Sequence, residues 1–276
     1  MKALLIVSIA LAALLLVFGL VQGRHLALKR TSSSVAKATI QSDNLPQHVA
    51  VMLDGNGRWA KKQGQPRTFG HRNSLQSLRE LIEGCIELGV SYLSLYAFST
   101  ENWARPKEEV EVLMELITTT LQSELTNLMD KDIKLTAIGD ITRLPQHCQE
   151  ALHKAIEATK HNKGLQLIVA LSYSGRWEIT EAAKAIAQDV LASNISPADI
   201  NAELFQHYLS TRNIPDPDLL IRTGGDMRIS NFLLWQLAYT ELFFAQQYWP
   251  EFRKEHLYEV IAAYQKRERR LGRISE

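Results

Sequence analysis

Two short polar segments, far apart in the chain, carry residue types suited to binding a diphosphate. Residues 54–59 (DGNGRW) follow the apolar run 49–53, and residues 222–231 (RTGGDMRISN) follow the apolar run 219–221. Glycine lets backbone N–H groups approach an anion closely, and arginine supplies paired donors that match phosphate oxygens. The carboxylate of Asp54 would repel phosphate by itself, so the simplest interpretation is a divalent cation that bridges it to the diphosphate.

Two further segments add polar side chains that could serve the same site. Arg67 and His71 precede a helical pattern, and Gly70-His71 is predicted to open that helix, where free N–H groups and a partial positive charge suit a phosphate. The alternative is that His71 only caps its own helix. Residues 98–103 (FSTENW) follow another apolar run; the alternative here is that Trp103 merely covers the core.

Glu241 stands alone among apolar and neutral residues in the segment 239–244 (YTELFF). A carboxylate in such a stretch requires a partner when it is buried. Two interpretations stay open from the residues alone. Glu241 pairs with an arginine, or it completes a metal site with Asp54.

The composition limits the class of protein. The chain has 276 residues, a formal net charge of +1 and 22% charged residues, so it lacks the basic surplus of a nucleic-acid-binding protein. We therefore expect no nucleic-acid partner. Apolar residues make up 46% of the chain, which is enough for a packed core. The two cysteines, Cys85 and Cys148, form no metal-ligand cluster and require no disulfide.

Residues 3–21 form an apolar run with Lys2 before it and basic residues after it. At ~1.5 Å per residue in a helix, this run just spans a bilayer core of ~30 Å. The stronger positive flank on its C-terminal side predicts a signal-anchor helix, residues 1–23, that tethers a cytoplasmic domain to the membrane. A cleaved signal peptide and a misassigned start codon are the alternatives. Residues 24–45 are predicted to be a polar linker and residues 46–276 a single catalytic domain.

From residue 46 onward, short apolar runs alternate with longer amphipathic segments. This alternation predicts an α/β domain with a mostly parallel central sheet flanked by helices. In such sheets ligands bind beyond the carboxyl ends of the strands, where the polar segments are expected to converge. The predicted strands are 48–53, 92–97, 133–138, 165–171, 219–221 and 241–244. The predicted helices are 75–88, 110–128, 146–159, 177–191, 197–209 and 252–270.

Five segments in order along the chain resemble the signature motifs of the cis-prenyltransferase family. The resemblance implies an enzyme that condenses isopentenyl diphosphate repeatedly onto an allylic diphosphate, expected to be farnesyl diphosphate. The implied product is a long polycis-prenyl diphosphate, by default undecaprenyl diphosphate for a cell-wall lipid carrier. A shorter cis-prenyl product, and a non-catalytic partner subunit or binding protein of the same fold, are the alternatives. The five segments are 48–62, 96–106, 220–236, 239–244 and 249–252.

The resemblance also implies a Mg²⁺ cofactor, a homodimer with residues 270–272 as its C-terminal signature, and roles for individual residues. Asp54 would be essential and would hold Mg²⁺ on the diphosphate, with Glu241 as a second metal ligand. Asn102 is the implied proton acceptor, but an amide is a weak base, and the departing diphosphate or a water is an easier one. The allylic diphosphate would contact Gly55, Asn56, Gly57, Arg58, Trp59, Arg67 and His71. Isopentenyl diphosphate would contact Arg222, Arg228, Ile229 and Ser230, and the space between would be lined by Ser99, Thr100, Glu101, Trp103 and Arg105.

The family pattern further implies a hydrophobic tunnel for the growing chain. The aliphatic stripe 110–128 would form a wall, and Ala97 and Leu165 would lie at the tunnel floor, where side-chain bulk sets the product length. Residues 74–75, 172–177 and 226–227 depart from the usual family residues. None of them is expected to touch a charged residue that the pattern assigns to the diphosphates.

Overall fold

The computed structural model describes Lys37 and residues 40–267. The predicted signal-anchor (1–23), most of the predicted linker and the C-terminal signature 270–272 lie outside the described residues. Within the part of the chain that is described, no helix is long and apolar enough to cross a bilayer.

In the described residues, six strands form one sheet in which all neighbouring strands are parallel. They are β1 (His48–Met52), β2 (Tyr92–Ser99), β3 (Lys134–Ile138), β4 (Gln166–Tyr173), β5 (Leu219–Arg222) and β6 (Glu241–Phe244). All six predicted strands are confirmed, each within two residues at its ends. Their order is β3-β4-β2-β1-β5-β6, and every residue of β1 is buried, as expected for a central strand covered on both faces.

The helices of the described chain cover and connect the strands. They are α1 (Asn56–Lys62), α2 (Arg67–Arg72), α3 (Leu75–Leu88), α4 (Lys107–Asp130), α5 (Gln146–Thr159), α6 (Gly175–Leu191), α7 (Ala202–His207) and α8 (Lys254–Gln265). The predicted helix 197–209 is divided into a 3-10 turn, Pro197–Asp199, and α7. The division arises because the side-chain oxygen of Asn201 accepts the Leu204 N–H and starts a new helix.

The core lies on both faces of the sheet because successive residues of a strand point to opposite sides. Alternate residues of β1 pack with α3, α4, α5 and α8 on one face and with the segment 229–237 on the other. Phe232 of that segment is fully buried, and its ring stacks on Tyr96 with the centroids 4.4 Å apart. The predicted α/β class is confirmed, and the second polar segment is anchored to the core by the residues that follow it.

The parallel register places the first and second polar segments side by side. Met52 of β1 pairs with Arg222 of β5, so Asp54, two residues past Met52, lies beside Arg222. At Gly55 the backbone φ is 104°, and a Cβ atom there would lie 2.6 Å from the Tyr248 ring. Glycine satisfies both conditions, so the chain can leave β1 and enter α1 directly beside Arg222.

Candidate active site

Arg222 is the buried centre of the site at the carboxyl ends of β1 and β5. Its Nη2 donates to Asp54 Oδ2 at 2.8 Å, and its Nη1 donates to Ser230 Oγ at 2.8 Å and to the carbonyl oxygen of Arg228. A buried guanidinium is tolerated only where charged or polar acceptors surround it. The structure therefore brings together Asp54, Arg222 and Ser230, as the sequence predicted.

Asp226 is a second carboxylate in this cluster. Its Oδ2 lies 3.0 Å from Arg228 Nη2 and 3.4 Å from Arg222 Nη2. Arg58 Nη2 lies between the two carboxylates, 3.3 Å from Asp226 Oδ2 and 3.1 Å from Asp54 Oδ1. Three guanidinium groups thus share two carboxylates, which leaves a net charge of +1 in the cluster. The sequence reasoning missed Asp226; the available signal was its place between two arginines in one glycine turn.

Asp54 is ionised at neutral pH. Burial by itself would raise its pKa, but the hydrogen bond from Arg222 and the charges of Arg58 and Arg222 outweigh that effect. The pKa of Asp54 consequently lies below its ordinary value of 3.8. A permanently charged carboxylate is a competent oxygen ligand for a cation throughout the physiological pH range.

Thr223 joins the two loops. Its hydroxyl oxygen accepts the backbone N–H of Asp54 at 3.0 Å. The same hydroxyl donates to the carbonyl oxygen of Asp54 at 2.7 Å. Gly224 and Gly225 follow with φ of 87° and 79°, and their N–H groups donate to carbonyl oxygens in the segment 245–247. These N–H groups therefore bind the backbone that follows β6. The expectation that the glycines of the second polar segment present their N–H groups to an anion is wrong for these two residues.

Helices α1 and α2 pack with their backbones in contact. A Cβ at Gly70 would lie 2.0 Å from the carbonyl oxygen of Asn56, and a Cβ at Gly57 would lie 3.1 Å from Arg67 Cζ. Glycine at both positions lets the two short helices approach closely. His71 lies in the last turn of α2 and not at the start of a long helix, so the predicted helix N-terminus at Gly70-His71 is wrong.

His71 is a neutral side chain beside two arginines. Burial lowers its pKa to about 4, and the charges of Arg105 and Arg67 act in the same direction. Glu109 opposes them and holds both arginines: its Oε1 accepts Arg105 Nη1 at 3.1 Å, and its Oε2 lies 3.4 Å from Arg67 Nε. The predicted residues Arg67, His71 and Arg105 are thus brought together as a second arginine group, separate from the one around Arg222.

A 3-10 turn, Thr100–Ala104, brings the third polar segment to the site. Ser99 and Asn102 cap this turn reciprocally, and the Asn102 side-chain oxygen accepts the Ser99 N–H at 3.2 Å. Glu101 Oε2 accepts the hydroxyl of Thr100 at 3.3 Å. Glu101 Oε1 accepts Asn231 Nδ2 at 2.8 Å, which joins the turn to the second polar segment. The side-chain oxygen of Asn102 is therefore engaged in holding its own turn.

A cavity of about 750 Å³ extends from these polar groups into the molecule, between α3, α4 and the sheet. Asp54, His71 and Arg222 line its mouth, and its deeper walls are mostly apolar. Ala97 lines the cavity as predicted, but Leu165 is buried in the core and is not a lining residue, whereas Leu167 is. Representative apolar wall residues are Leu78, Ile82, Ile117, Leu121, Leu135 and Leu167.

Nine residues assigned to the substrates are not part of the cavity lining: Gly55, Gly57, Arg58, Trp59, Arg67, Thr100, Trp103, Arg228 and Ile229. Three of them, Trp103, Trp59 and Ile229, have side chains packed behind the loops. Trp103 Nε1 donates to Ser172 Oγ at 3.0 Å, so this indole supports the turn from behind. Trp59 stacks on Phe69 with the ring centroids 5.7 Å apart and joins α1 to α2. Ile229 packs against the core cluster beneath the second polar segment. In this conformation all three side chains support the loops.

Tyr96 is a lining residue that the sequence reasoning missed. Its hydroxyl lies 3.2 Å from the carbonyl oxygen of Tyr173 and 3.3 Å from that of Ser230. It therefore helps to hold the second polar segment against β4. A tyrosine in a central strand is common in protein cores, so no signal in the sequence distinguished it.

Glu241 and Asp54 lie at opposite ends of the sheet. Glu241 pairs with Leu219 at the amino end of β5, whereas Arg222, beside Asp54, is at the carboxyl end. Glu241 Oε2 instead forms an ion pair with Arg267 Nη1 at 2.5 Å. Within one chain the two carboxylates are too far apart to share an ion, which corrects that expectation and supports the arginine-pairing alternative.

Known proteins are similar to this chain in sequence and in fold. A prenyltransferase family model described as "Putative undecaprenyl diphosphate synthase" matches residues 52–272. The chain is 50% identical over 232 residues to an isoprenyl transferase of Porphyromonas gingivalis, covering 84% of this chain and 91% of that protein. It is 44% identical over 238 residues to a ditrans,polycis-undecaprenyl-diphosphate synthase ((2E,6E)-farnesyl-diphosphate specific) of Vibrio cholerae, covering 86% and 95%.

A solved structure agrees with these sequence matches. The lavandulyl diphosphate synthase from Lavandula x intermedia, in complex with dimethylallyl diphosphate, superposes with a TM-score of 0.79 at 39% sequence identity. The match covers 82% of this chain and 97% of that one. The residues that the family model matches, 52–272, include both polar segments and the residues that line the cavity.

Proposed function

The chain belongs to the undecaprenyl diphosphate synthase family of prenyltransferases and is an enzyme of polycis-prenyl diphosphate synthesis; within that activity, we propose that it elongates farnesyl diphosphate with isopentenyl diphosphate to undecaprenyl diphosphate. One observation carries the proposal: arginine clusters lie at the mouth of an apolar cavity of about 750 Å³. This arrangement suits an amphipathic substrate that has a charged head and a growing hydrocarbon tail.

The two diphosphates are assigned to opposite sides of the cavity mouth, with Arg58 of the Arg222 cluster on the allylic side. The allylic diphosphate contacts the start of α1, Arg58 and the second group of Arg67 and Arg105. Isopentenyl diphosphate contacts Arg222 and Arg228 at the other side of the mouth. Planar guanidinium groups donate in pairs to phosphate oxygens, which fixes the orientation of each substrate as well as its position.

The low net charge of the cluster around Arg222 favours a bound cation in that cluster. Two carboxylates already partner the arginines around Arg222, so that cluster has a net charge of only +1 for highly charged substrates. The donor set fits Mg²⁺, which is commonly held by one or two carboxylates together with substrate phosphates and waters. Asp54 and Asp226 supply the carboxylates, and the buried, unpartnered Oδ1 of Asn56 on the cavity lining can accept a cation-bound water. Bound there, Mg²⁺ would neutralise charge on the departing diphosphate.

The chain's own residues promote the reaction mainly by stabilising charge. As the C1–O bond of the allylic diphosphate breaks, its electron pair leaves with the diphosphate, and Arg58 and Arg67 stabilise that charge. The terminal carbon of isopentenyl diphosphate then bonds to C1, and a proton leaves C2. A departing diphosphate oxygen takes that proton more readily than Asn102 does, since the Asn102 oxygen already accepts the Ser99 N–H. Asn102 thereby acts by positioning its turn.

The cavity retains the growing chain between condensations. Each cycle adds one isoprene unit, and the tail enters the apolar space between α3 and α4. Burying apolar surface is worth roughly 25 cal/mol per Å², so each added unit is held more firmly than it would be in water. The enzyme can therefore retain its intermediate through successive condensations.

Two partner assignments remain proposals from the sequence. A homodimer is proposed from the resemblance of residues 270–272 to the family signature, and a membrane tether is proposed through residues 3–21. Sedimentation of the full chain would test the first. For the second, cell fractionation of the full chain would be compared with a chain lacking residues 1–23. The tether predicts that the shorter chain leaves the membrane fraction, and equal membrane content of both would contradict it.

The activity is tested by incorporation of radiolabelled isopentenyl diphosphate. The full chain in detergent is incubated with farnesyl diphosphate and either Mg²⁺ or EDTA, beside the isosteric variant Asp54→Asn. We expect Mg²⁺-dependent product that falls by about 10³-fold in the variant, as is typical when a main electrostatic group is removed. Chromatography of the product measures its length. A folded chain without incorporation would contradict the synthase activity and favour a non-catalytic partner subunit.

A further inference from the structure

An ion pair forms part of the cavity wall between α3 and α4. Arg79 of α3 contacts Glu124 of α4 through two nitrogens: Nη2 lies 2.5 Å from Oε1, and Nε lies 3.2 Å from both carboxylate oxygens. Asn127, one turn further along α4, donates to Glu124 Oε2 at 3.0 Å. All three side chains line the cavity that the proposed function assigns to the prenyl chain.

The pair lies at the boundary between this cavity and solvent. The Glu124 side chain is only 11% exposed, whereas the Arg79 side chain is 50% exposed. The carboxylate is therefore largely buried, and the guanidinium is half exposed to water. Both side chains line the cavity, so the pair forms part of the wall between α3 and α4.

A second pair of opposite polarity joins α3 to the end of α4. Glu83, one turn after Arg79 on α3, accepts Nζ of Lys131, the residue that follows α4, at 2.7 Å. Sliding α3 along α4 in one direction would bring Arg79 toward Lys131, and sliding it in the other direction would bring Glu83 toward Glu124; like charges repel in both cases. Lys254 of α8 also contacts Glu83, at 3.3 Å, and holds α3 from its other side. The two cross-helix pairs therefore set both the spacing and the register of α3 and α4.

We propose that the Arg79–Glu124 pair, supported by Lys131–Glu83, is a clasp that determines product length by keeping the side of the cavity closed. This inference rests on the proposed function, since it needs a prenyl chain in the cavity. A closed wall limits the space available to the tail. If the clasp opens, α3 and α4 separate, the tail gains room or leaves sideways, and elongation continues. The clasp lies away from the arginine groups at the mouth, so the first condensation does not depend on it.

Charge reversal provides the test. Arg79→Glu places two acids together and Glu124→Arg places two bases together, so each single variant should open the clasp. The double variant R79E/E124R restores an attractive pair. We expect each single variant to give a major product longer by at least one isopentenyl unit, and the double variant to return toward the wild-type length.

Two measurements separate the clasp from other effects. The first-condensation rate, measured with farnesyl diphosphate in excess over isopentenyl diphosphate, should stay within about threefold of wild type in every variant. A matched control is the exposed pair Lys184–Glu181 on α6, whose reversal by Glu181→Lys should leave product length unchanged. Glu124→Gln, which keeps the shape but loses the charge, is the variant to use if a reversed chain fails to fold. We expect Glu124→Gln to lengthen the product less than the charge-reversed single variants do.

Unchanged product length in folded single variants and in Glu124→Gln would overturn the clasp, as would a slower first condensation with the same product length. Equal lengthening by the control variant would also overturn it. Absence of any condensation by the wild-type chain would instead contradict the proposed function itself, and the clasp with it.

Discussion

The mouth of the cavity and its walls are built in contrasting ways. At the mouth, Arg222 contacts Asp54, Asp226 and Ser230, and all of these residues come from two loops that follow adjacent parallel strands. Along the walls, the lining residues of α4 recur every three or four positions from Leu113 to Leu128. Charge is concentrated at the first place, and apolar surface is distributed along the second.

This contrast separates two kinds of function. Charge stabilisation depends on a few donors held at fixed distances, so one substitution at the mouth should change the rate strongly. Length discrimination depends on the shape of a long surface, so one substitution on the wall should change which product forms while leaving the first condensation nearly intact. The predictions below test that separation.

The largest effect is expected at the mouth. Arg222→Lys retains one positive charge but loses the planar group that contacts Asp54 and Ser230 together. We expect kcat/KM to fall by up to about 10³-fold, measured as incorporation of isopentenyl diphosphate. Arg228→Lys is the matched control, because the Arg228 side chain is 67% exposed and should tolerate the exchange better. Equal losses in the two variants would show that burial of Arg222 is not what matters.

His71 should make the free energy of unfolding depend on pH. Its pKa is about 4 in the folded protein and 6.5 ordinarily, so between these values the unfolded chain takes up a proton that the native chain does not. Stability is therefore expected to fall as the pH is lowered from about 6.5 to about 4, by at most about 3 kcal/mol from this group. Urea unfolding at several pH values, with wild type beside His71→Gln, measures the contribution. His48, also shifted to about 4, stays in both chains. Identical pH slopes would contradict the buried neutral state.

A bulky residue on the wall should change product length more than rate. Leu121→Trp places a larger side chain on the α4 wall, where the tail of a lengthening product would lie. We expect a major product shorter by at least one isopentenyl unit, with the first condensation within about threefold of wild type. Leu191→Trp on the exposed end of α6 is the control, since Leu191 is 85% exposed. A large loss of the first condensation in Leu121→Trp would show that mouth and wall are not independent.

The smallest effect is expected at Glu241. This residue lies at the amino end of β6 and pairs with Arg267, so Glu241→Gln removes a partly exposed ion pair. Such pairs are typically worth about 1 kcal/mol or less, and we expect less than a tenfold change in kcat/KM. Arg267→Gln should have a similar effect. A loss as large as that of Asp54→Asn would show that Glu241 reaches an active site by a route outside the single chain.

Much of the fold could be predicted because its signals are local. Each strand is a short apolar run that ends in polar or turn residues, and the alternation with amphipathic helices implies parallel neighbours. The boundaries were less certain where a side chain starts a new helix, as Asn201 does before α7. That hydrogen bond depends on loop geometry that no periodicity encodes.

The site was predicted unevenly, for a physical reason. Asp54 and Arg222 were expected to meet because both follow apolar runs, and the carboxyl ends of parallel strands share one edge. Glu241 was misplaced because the apolar run locates its strand, whereas the edge of the sheet at which a residue lies depends on its position in the strand: Glu241 is at the amino end of β6, opposite the edge that carries Asp54. Likewise, the Gly224 and Gly225 N–H groups were expected to face an anion, but only the fold shows that they bind the chain after β6.

The sequence by itself determined the family, the six strands and the residues that carry charge, because these depend on residue type, spacing and short-range periodicity. The tertiary structure alone decided which charges meet. It placed Asp226 among the arginines, Asn102 in its own turn and Glu241 beside Arg267. It also revealed the Arg79–Glu124 clasp, whose partners are 45 residues apart. Such contacts are set by strand order and helix packing, which bring together residues that no local pattern connects.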